Sequence, residues 1–282
     1  MFKFPRHYNI ALTAPSGGIS QETVNAGKIV LKNSGCSVRQ MPHIFSGTIL
    51  SHLAAGDNER ADDINAAIAD DSIDIIWAVR GGAGALRILN QIDWEKLKGS
   101  GKYFAGFSDI TAIHWAMAKH GIDTFLAAPM MSYLVKSDDV LTEKTLFSAL
   151  NGENISLKLP ALRAGNICGT PLPGNIAVAA SLCGTQYMPD TTGKILILEE
   201  VGEQPYRIDR MLTQLQLAGA FEKCAGVIFG NFTNCGAAPD IMNVLRDFTE
   251  HLACPVFCGF PFGHELPFHS ICGTQLISVT PH

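Results

Sequence analysis

The strongest constraint on the fold is an alternation of short apolar runs with amphipathic helical patterns in the first half of the chain. Four runs predict strands, at 8–12, 37–41, 73–79 and 103–106. Helical periodicity follows these runs, at 21–33, from 57 onwards and at 110–119. Buried strands that alternate with helices favour a parallel sheet covered by helices on both faces. We therefore predict an N-terminal α/β domain with a doubly wound, mainly parallel sheet.

Small and polar residues indicate where these helices begin and end. Ser20 precedes the helix at 21–33 as an N-cap, and Gly35 follows it where glycine commonly ends helices. Asp57 is predicted to cap the second helix, because apolar residues of one helical face follow it.

The length of 282 residues corresponds to about two domains. A segment rich in glycine and proline, 151–174, interrupts the periodic pattern, so we predict a linker there. An N-terminal domain would then occupy 1–150 and a C-terminal domain 175–282. A helix from Pro205 and further short strands predict a mixed α/β fold for the C-terminal domain.

Composition and charge exclude several classes of protein. Apolar residues make up 47% and charged residues 17% of the chain, which excludes disordered and fibrous classes. The net charge of −5 has the wrong sign for binding phosphate backbones, so nucleic acid is not an expected partner. No apolar run reaches the ~18 residues of a membrane span, and the N-terminus lacks the apolar core of a secretory signal. We therefore expect a cytoplasmic protein.

A metal site is not expected. The eight cysteines include no pair in the C-x-x-C spacing of zinc sites. His264 and Glu265 begin an H-E-x-x-H pattern, but the next histidine is His269, and Pro267 would break the helix that the motif needs.

Two loops at the carboxyl edge of the predicted sheet carry groups suited to chemistry. Ser108 lies between the strand at 103–106 and a helix, so its hydroxyl would face the cleft, with the N–H of Asp109 at the positive helix end. Gly82, in the glycine-rich segment 80–84, offers a second unhindered N–H, and two such donors could hold an oxyanion. From this loop alone, a helix cap is the favoured role of Ser108. The glycine segment fits a tight turn, and its glycine spacing matches neither phosphate-binding motif well.

A serine nucleophile needs a base and an acid that orients the base. His264 fits the base because it lies in a loop constrained by prolines, although a solvated histidine fits this context too. Glu199 and Glu200 end a predicted strand, whose alternation sends them to opposite faces, so only one can orient an imidazole. For His114 and His120, on the helix after Ser108, packing or capping is favoured.

Seven short segments, read in order, carry a resemblance that spans most of the chain. They are APS at 14–16, RGGAG at 80–84, GFSDIT at 106–111, GN at 174–175, LEEV at 198–201, PYRIDRML at 205–212 and GH at 263–264. As an ordered series they resemble the LD-carboxypeptidase family, which includes muramoyl-tetrapeptide carboxypeptidases and microcin C immunity peptidases. This chain differs from the family's usual pattern at Ala83, where tyrosine is common, and at Ala128, where glycine is common.

The resemblance implies a serine peptidase that uses neither a metal nor another cofactor. Ser108 would be the nucleophile, His264 the general base and Glu199 the carboxylate that orients it. The oxyanion donors would be the backbone N–H groups of Asp109 and Gly82. The implied reaction releases the terminal D-alanine from a murein tetrapeptide during cell-wall recycling, and the implied assembly is a homodimer.

The sequence also leaves open two alternative functions and offers one further candidate binding residue. The same three residues would also serve a peptidase that acts on a microcin-type aminoacyl nucleotide or another amide. A small-ligand-binding protein, in which Ser108 is only a cap, is the alternative from outside the enzymes. A peptide carboxylate needs a cationic recess, for which Arg80 is the candidate, although an ion pair explains Arg80 equally well.

Overall fold

The structure is a computed structural model that describes residues 2–136 and 139–282; Met1, Ser137 and Asp138 of the predicted N-terminal domain lie outside the described residues. Its strands are β1 (Asn9–Thr13), β2 (Ser37–Gln40), β3 (Ile75–Ala78), β4 (Tyr103–Gly106), β5 (Phe125–Ala127), β6 (Ile155–Leu159), β7 (Ala161–Arg163), β8 (Ile167–Asn175), β9 (Lys194–Val201), β10 (Gly226–Thr233), β11 (Val256–Cys258), β12 (Ile271–Cys272) and β13 (Ile277–Pro281). Its α-helices are α1 (Gln21–Asn33), α2 (Asp57–Ala69), α3 (Trp94–Ser100), α4 (Thr111–Lys119), α5 (Met131–Lys136), α6 (Val140–Leu150), α7 (Ile176–Ser181), α8 (Pro205–Leu217) and α9 (Ala238–Glu250). Among these helices none is long and apolar enough to cross a membrane.

The first sheet has the strand order β12-β5-β4-β3-β1-β2. Strands β1 to β5 run parallel, and β12 adds an antiparallel edge. The order β2-β1-β3-β4-β5 is that of a doubly wound sheet, so the fold predicted for the N-terminal half is confirmed. Because β1, β3 and β4 are neighbours, the loops that follow them lie side by side at the carboxyl edge of the sheet.

The ends of the first two helices test the predicted caps. Ser20 is the N-cap of α1, where its hydroxyl accepts a hydrogen bond of 3.2 Å from the N–H of the third helical residue. Gly35 follows the helix with φ 89°, as predicted. The prediction for Asp57 is wrong, because Gly56 is the N-cap and Asp57 is the first residue of α2. The Asp57 carboxylate pairs instead with two arginine side chains.

The second sheet has the order β6-β13-β8-β9-β10-β11-β7. Strands β8 to β11 run parallel, whereas β13 is antiparallel to β8 and β7 is antiparallel to β11. This is the mixed α/β fold predicted for the C-terminal half. Apolar side chains of both sheets, among them Phe104 and Leu198, belong to one buried core.

The segment 151–174, predicted as a linker, instead forms β6, β7 and most of β8. Pro171 and Pro173 lie in the part of β8 that pairs with β9. The Pro173 carbonyl accepts a hydrogen bond of 3.0 Å from Trp115 Nε1, so this side of the strand faces a helix rather than another strand. Proline lacks an N–H, and a strand tolerates it where that position needs no strand partner.

Helix α4 docks onto the end of β8 and so joins the two sheets. The hydroxyl of Thr111 accepts a hydrogen bond of 2.9 Å from the N–H of Asn175. Gly174 permits this close approach, since a Cβ there would lie 2.7 Å from Thr111 Cγ2 and 2.9 Å from Trp115 Nε1. Because α4 directly follows the turn that carries Ser108, the contact sets the distance between that turn and the second sheet.

Candidate active site

Ser108 lies on the sharp turn between β4 and α4. A short 3₁₀ turn (Ser108–Ile110) begins there, and Ser108 has φ 67°, in the left-handed region. This conformation costs a non-glycine residue about 1–2 kcal/mol, and such strain clusters at active sites. The N-caps of the 3₁₀ turn and of α4 are Phe107 and Ile110, and neither end has a side-chain cap. The structure therefore does not use Ser108 as a helix cap.

The glycine loop after β3 packs directly against Ser108. A Cβ at Gly81 would lie 2.7 Å from Ser108 Cβ and 2.9 Å from Ser108 Oγ, so only glycine fits. The Gly81 carbonyl accepts a hydrogen bond of 3.0 Å from the N–H of Gly17. That bond fixes the plane of the peptide unit to which the Gly82 N–H belongs, and Gly82 itself is exposed.

Replacing Gly81 with alanine is expected to displace Ser108 and to lower its reactivity. A displacement of about 1 Å at a reacting group costs about 10²-fold in rate, so Gly81→Ala should lower the rate of labelling by a fluorophosphonate about 10²-fold. Gly99→Ala is the matched control, because a Cβ at Gly99 meets no atom within 4 Å. Equal labelling rates for the two variants would contradict the packing argument.

His264 lies between Ser108 and Glu199. Its Nε2 is 3.0 Å from Ser108 Oγ, and its Nδ1 is 2.8 Å from Glu199 Oε2. A carboxylate only accepts hydrogen bonds, so Nδ1 donates to Glu199 and Nε2 is left to accept from the hydroxyl. The ring packs on Phe107 with centroids 4.9 Å apart, and Gly263 lets the backbone approach Glu199. The three side chains predicted from the sequence thus form one hydrogen-bonded chain.

Asn175 holds the carboxylate end of this chain, a role that sequence reasoning missed. Its Nδ2 donates to Glu199 Oε1 at 3.2 Å and to Glu200 Oε1 at 2.8 Å. The second oxygen of Glu200 accepts a hydrogen bond of 2.8 Å from the N–H of Ala177, so Glu200 serves α7 rather than His264. Burial raises the pKa of Glu200, and hydrogen bonds from Val201, Asn175 and Ala177 oppose that rise. The asparagine of the GN segment was the available signal.

The Asp109 carboxylate points into the protein and joins the loops around Ser108. Its Oδ2 accepts hydrogen bonds from Ser16 Oγ at 2.6 Å and from the N–H of Ala85 at 2.8 Å. Ser16 follows β1 and Ala85 follows β3, so one buried carboxylate connects the loops of three neighbouring strands. From the sequence, only the backbone N–H of Asp109 is singled out.

Two further residues of the glycine loop are exposed. Arg80 donates a hydrogen bond of 2.6 Å from Nη1 to the carbonyl of Gly18. Ala83 is exposed as well, so a larger side chain at this position would extend into solvent. Ala128, the other departure from the family pattern, is buried, and its N–H donates to the Gly106 carbonyl at 3.2 Å.

His114, His120 and His269 lie outside the hydrogen-bonded chain of Ser108, His264 and Glu199. His114 is buried and contacts the Phe104 carbonyl at 3.0 Å, and His120 stacks on Trp94 with centroids 5.1 Å apart, so the packing roles favoured from the sequence are confirmed. Burial lowers the pKa of His114 to about 4. Burial also lowers the pKa of His269 to about 4.

Because the pKa values of His114 and His269 are lowered, we expect the free energy of unfolding to fall in acid. Between pH 6.5 and 4 an unfolded chain binds protons that the folded histidines refuse, so the free energy of unfolding falls as pH falls. Each histidine contributes a slope of up to about 1.4 kcal/mol per pH unit. Urea unfolding at pH 7.5, 6 and 5 should reveal this slope. His269→Phe, which keeps a ring against Phe260, should have a shallower slope, and an equal slope would contradict the assignment.

In the part of the chain that the structure describes, no three His, Cys, Asp or Glu side chains group to hold a metal ion. The eight cysteines are all free thiols, and the sulfurs of Cys224 and Cys254 lie 3.5 Å apart.

Fold and site together define a class of protein. A doubly wound α/β unit supplies a strained serine, and a second α/β unit supplies a histidine and a glutamate, the set of contacts that serine peptidases use. Residues 10–127 match the LD-carboxypeptidase N-terminal domain, and residues 168–276 match the LD-carboxypeptidase C-terminal domain. The chain belongs to the LD-carboxypeptidase family, as its sequence segments predict.

Two relatives illustrate the similarity in sequence. A Streptomyces coelicolor protein, named as a carboxypeptidase, is 35% identical over 90% of this chain and 84% of its own length. The probable murein peptide carboxypeptidase of Bacillus subtilis is 35% identical over 77% of this chain and 72% of its own length.

Two solved structures illustrate the similarity in fold. Muramoyltetrapeptide carboxypeptidase from Oxalobacter formigenes superposes with a TM-score of 0.82 at 30% identity, covering 94% of this chain and 92% of its own. An MccF-like protein from Bacillus anthracis superposes with a TM-score of 0.87 at 22% identity, covering 98% and 94%, and at this identity the likeness concerns the fold alone.

Proposed function

We propose that this protein is a serine-type LD-carboxypeptidase that releases the terminal D-alanine from murein tetrapeptides. One observation carries the proposal: His264 contacts Ser108 Oγ at 3.0 Å and Glu199 Oε2 at 2.8 Å. Serine peptidases activate a hydroxyl through such a chain of contacts. The names of the relatives from Bacillus subtilis and Oxalobacter formigenes support a murein peptide as the substrate.

In the first half of the reaction, Ser108 Oγ attacks the carbonyl carbon of the scissile amide while His264 Nε2 takes the hydroxyl proton. Glu199, whose side chain is fully buried, stabilises the imidazolium that forms. The tetrahedral oxyanion accepts hydrogen bonds from the N–H groups of Asp109 and Gly82. His264 then protonates the leaving nitrogen, and D-alanine departs from the acyl-enzyme.

Water completes the reaction by the same route. His264 takes a proton from a water molecule, whose oxygen attacks the ester carbonyl, and Ser108 recovers its proton as the ester breaks. Because the serine and the histidine come from different sheets, any change in the contact between α4 and β8 would alter the rate of both halves.

Arg80 is the proposed partner of the free carboxylate of the substrate. Its side chain is exposed, and the next residue in the chain is Gly81, whose backbone packs on Ser108. A guanidinium has five N–H donors, and the hydrogen bond to Gly18 uses one of them. The others suit bidentate binding of a carboxylate. The arrangement would favour cleavage at the last residue of a peptide.

We further propose that the protein acts as a cytoplasmic homodimer in cell-wall recycling. Eight free cysteines fit a reducing compartment, and the dimer follows from the family resemblance. Sedimentation velocity measures the assembly, and a monomer at micromolar concentration would contradict the dimer.

Incubation of the protein with a muramoyl tetrapeptide that ends in D-alanine tests the activity. Mass spectrometry should detect free D-alanine with the parent protein. An aminoacyl sulfamoyl adenosine serves as a second substrate. If the protein cleaves this compound and not the tetrapeptide, its substrate is an aminoacyl nucleotide and not a murein peptide. Absence of both cleavage and fluorophosphonate labelling would favour a ligand-binding protein instead.

A further inference from the structure

One peptide unit behind the site is held at both of its polar ends. The Gly84 carbonyl accepts a hydrogen bond of 3.0 Å from Arg60 Nη1. The N–H of Ala85, which belongs to the same peptide bond, donates to Asp109 Oδ2 at 2.8 Å. A cation therefore faces the carbonyl oxygen of this unit, and a carboxyl group faces its N–H.

Arg60 is a buried arginine whose donors go mainly to loop carbonyls. Its residue is only 2% exposed, and it lies on α2, behind the loops that follow β1 and β3. Besides Gly84 it donates to the carbonyls of Pro15 and Ala55, and it pairs with Asp57 at 2.5 Å. A buried guanidinium is stable only when its donors are satisfied. Its partners on several loops therefore constrain those loops relative to one another.

The Asp109 carboxyl group mirrors this arrangement. The same Oδ2 that binds Ala85 also accepts a hydrogen bond of 2.6 Å from Ser16 Oγ. Arg60 and Asp109 thus each contact the loop at 14–17 and the loop at 80–85, from different sides.

The polarity of the two contacts selects one orientation of the peptide. Hydrogen bonds to charged groups are about twice as strong as those between neutral groups. Turning the Gly84–Ala85 unit over would point its N–H at the guanidinium and its carbonyl at the carboxyl group, with repulsion at both ends. Gly84 has φ 121°, which glycine adopts readily, so the backbone alone would not prevent this rotation.

We propose that Arg60 and Asp109 are positioning residues that lock the Gly84–Ala85 peptide and thereby aim the Gly82 N–H at the developing oxyanion. The inference rests on the proposed function, in which Gly82 supplies one oxyanion donor. The hydrogen bonds from Arg60 and to Asp109 hold the end of the glycine loop at Gly84 and Ala85. The bond from the Gly17 N–H to the Gly81 carbonyl holds its beginning. Neither side chain contacts the substrate in this scheme.

Substitution of the two residues should lower turnover more than substrate binding. Loss of one oxyanion donor costs about 10²-fold or more in kcat, so Arg60→Met and Asp109→Ala should each lower kcat about 10²-fold, with KM within threefold of the parent. Arg60→Lys and Asp109→Asn keep part of the hydrogen bonding and should retain about tenfold more activity than the harsher variants. The pH midpoint of kcat should not move, because His264 and Glu199 are untouched.

Active-site counting separates positioning from loss of folding. The final stoichiometry of fluorophosphonate labelling gives the number of folded sites, and its rate should fall in parallel with kcat. Arg87→Gln is the matched control, because Arg87 is an exposed arginine that also binds Asp57; its kcat and KM should equal those of the parent.

Two outcomes distinguish this inference from the proposed function. If Ser108→Ala is inactive while all four variants keep kcat per site within threefold, the positioning role of Arg60 and Asp109 is wrong and the proposed peptidase function is retained. If Ser108→Ala retains activity, the function fails and the lock fails with it. Should the harsher variants not fold, Arg60→Lys and Asp109→Asn decide, and a rise in KM without a fall in kcat would overturn the proposal.

Discussion

Ser108→Ala is expected to lower kcat for D-alanine release by about 10⁴-fold or more, with substrate binding retained. Alanine removes the nucleophilic oxygen, which lies 3.0 Å from His264 Nε2, while the oxyanion donors and the Arg80 guanidinium remain. Mass spectrometry of released D-alanine measures the rate, and calorimetry with the intact tetrapeptide measures binding. The substitution deletes one atom, so the folded structure should be unchanged.

A second serine–histidine contact provides a matched control for this variant. Ser37 Oγ lies 3.1 Å from His7 Nε2, and His7 Nδ1 contacts the Gly35 carbonyl instead of a carboxylate. Ser37 is exposed and begins β2, whereas Ser108 follows the end of the parallel strand β4, so the two serines belong to opposite ends of the sheet. Ser37→Ala should leave D-alanine release and fluorophosphonate labelling unchanged. Substantial activity in Ser108→Ala, or an equal loss in Ser37→Ala, would contradict the assignment of the nucleophile.

Local sequence pattern predicts most of the fold, because strands and helices of the first sheet have clear periodicity. The cap at Ser20 follows from its position alone. The prediction for Asp57 fails because its carboxylate binds Arg60, one turn along the same helix, and Arg87, thirty residues later. The strands within 151–174 are missed because their prolines and glycines resemble a linker. These prolines fit a strand because of contacts with a distant segment: the Pro173 carbonyl accepts a hydrogen bond from Trp115, some sixty residues earlier in the chain.

The candidate site divides in the same way. The turn at Ser108 and the strand end at Glu199 can be predicted, since the carboxyl ends of parallel strands meet at one edge. Whether Glu199 or Glu200 faces the imidazole is not decidable from alternation; only the family resemblance favours Glu199. Asn175 and Arg60 escape prediction because their roles arise from contacts between segments that are far apart in the sequence.

Glu199→Gln is expected to lower kcat by about 10⁴-fold while leaving the geometry of the site almost intact. The amide has the size of the carboxyl group, but it can turn its NH₂ group towards His264 Nδ1. That contact favours the tautomer with the proton on Nε2, which cannot accept a proton from Ser108. The neutral amide also provides no charge to stabilise the imidazolium. Rates of D-alanine release and of fluorophosphonate labelling should both fall.

Glu203→Gln is the matched control for this loss, since it removes a charge from the same acidic stretch. Glu203 lies in the loop after β9, where it pairs with Arg207 at 2.9 Å. A partly exposed ion pair of this kind contributes about 1 kcal/mol or less, so the control should turn over substrate like the parent. If Glu199→Gln also retained parental kcat, or if both variants lost activity equally, the carboxylate behind His264 would not be acting on the imidazole. The reaction would then need another source of orientation for the base.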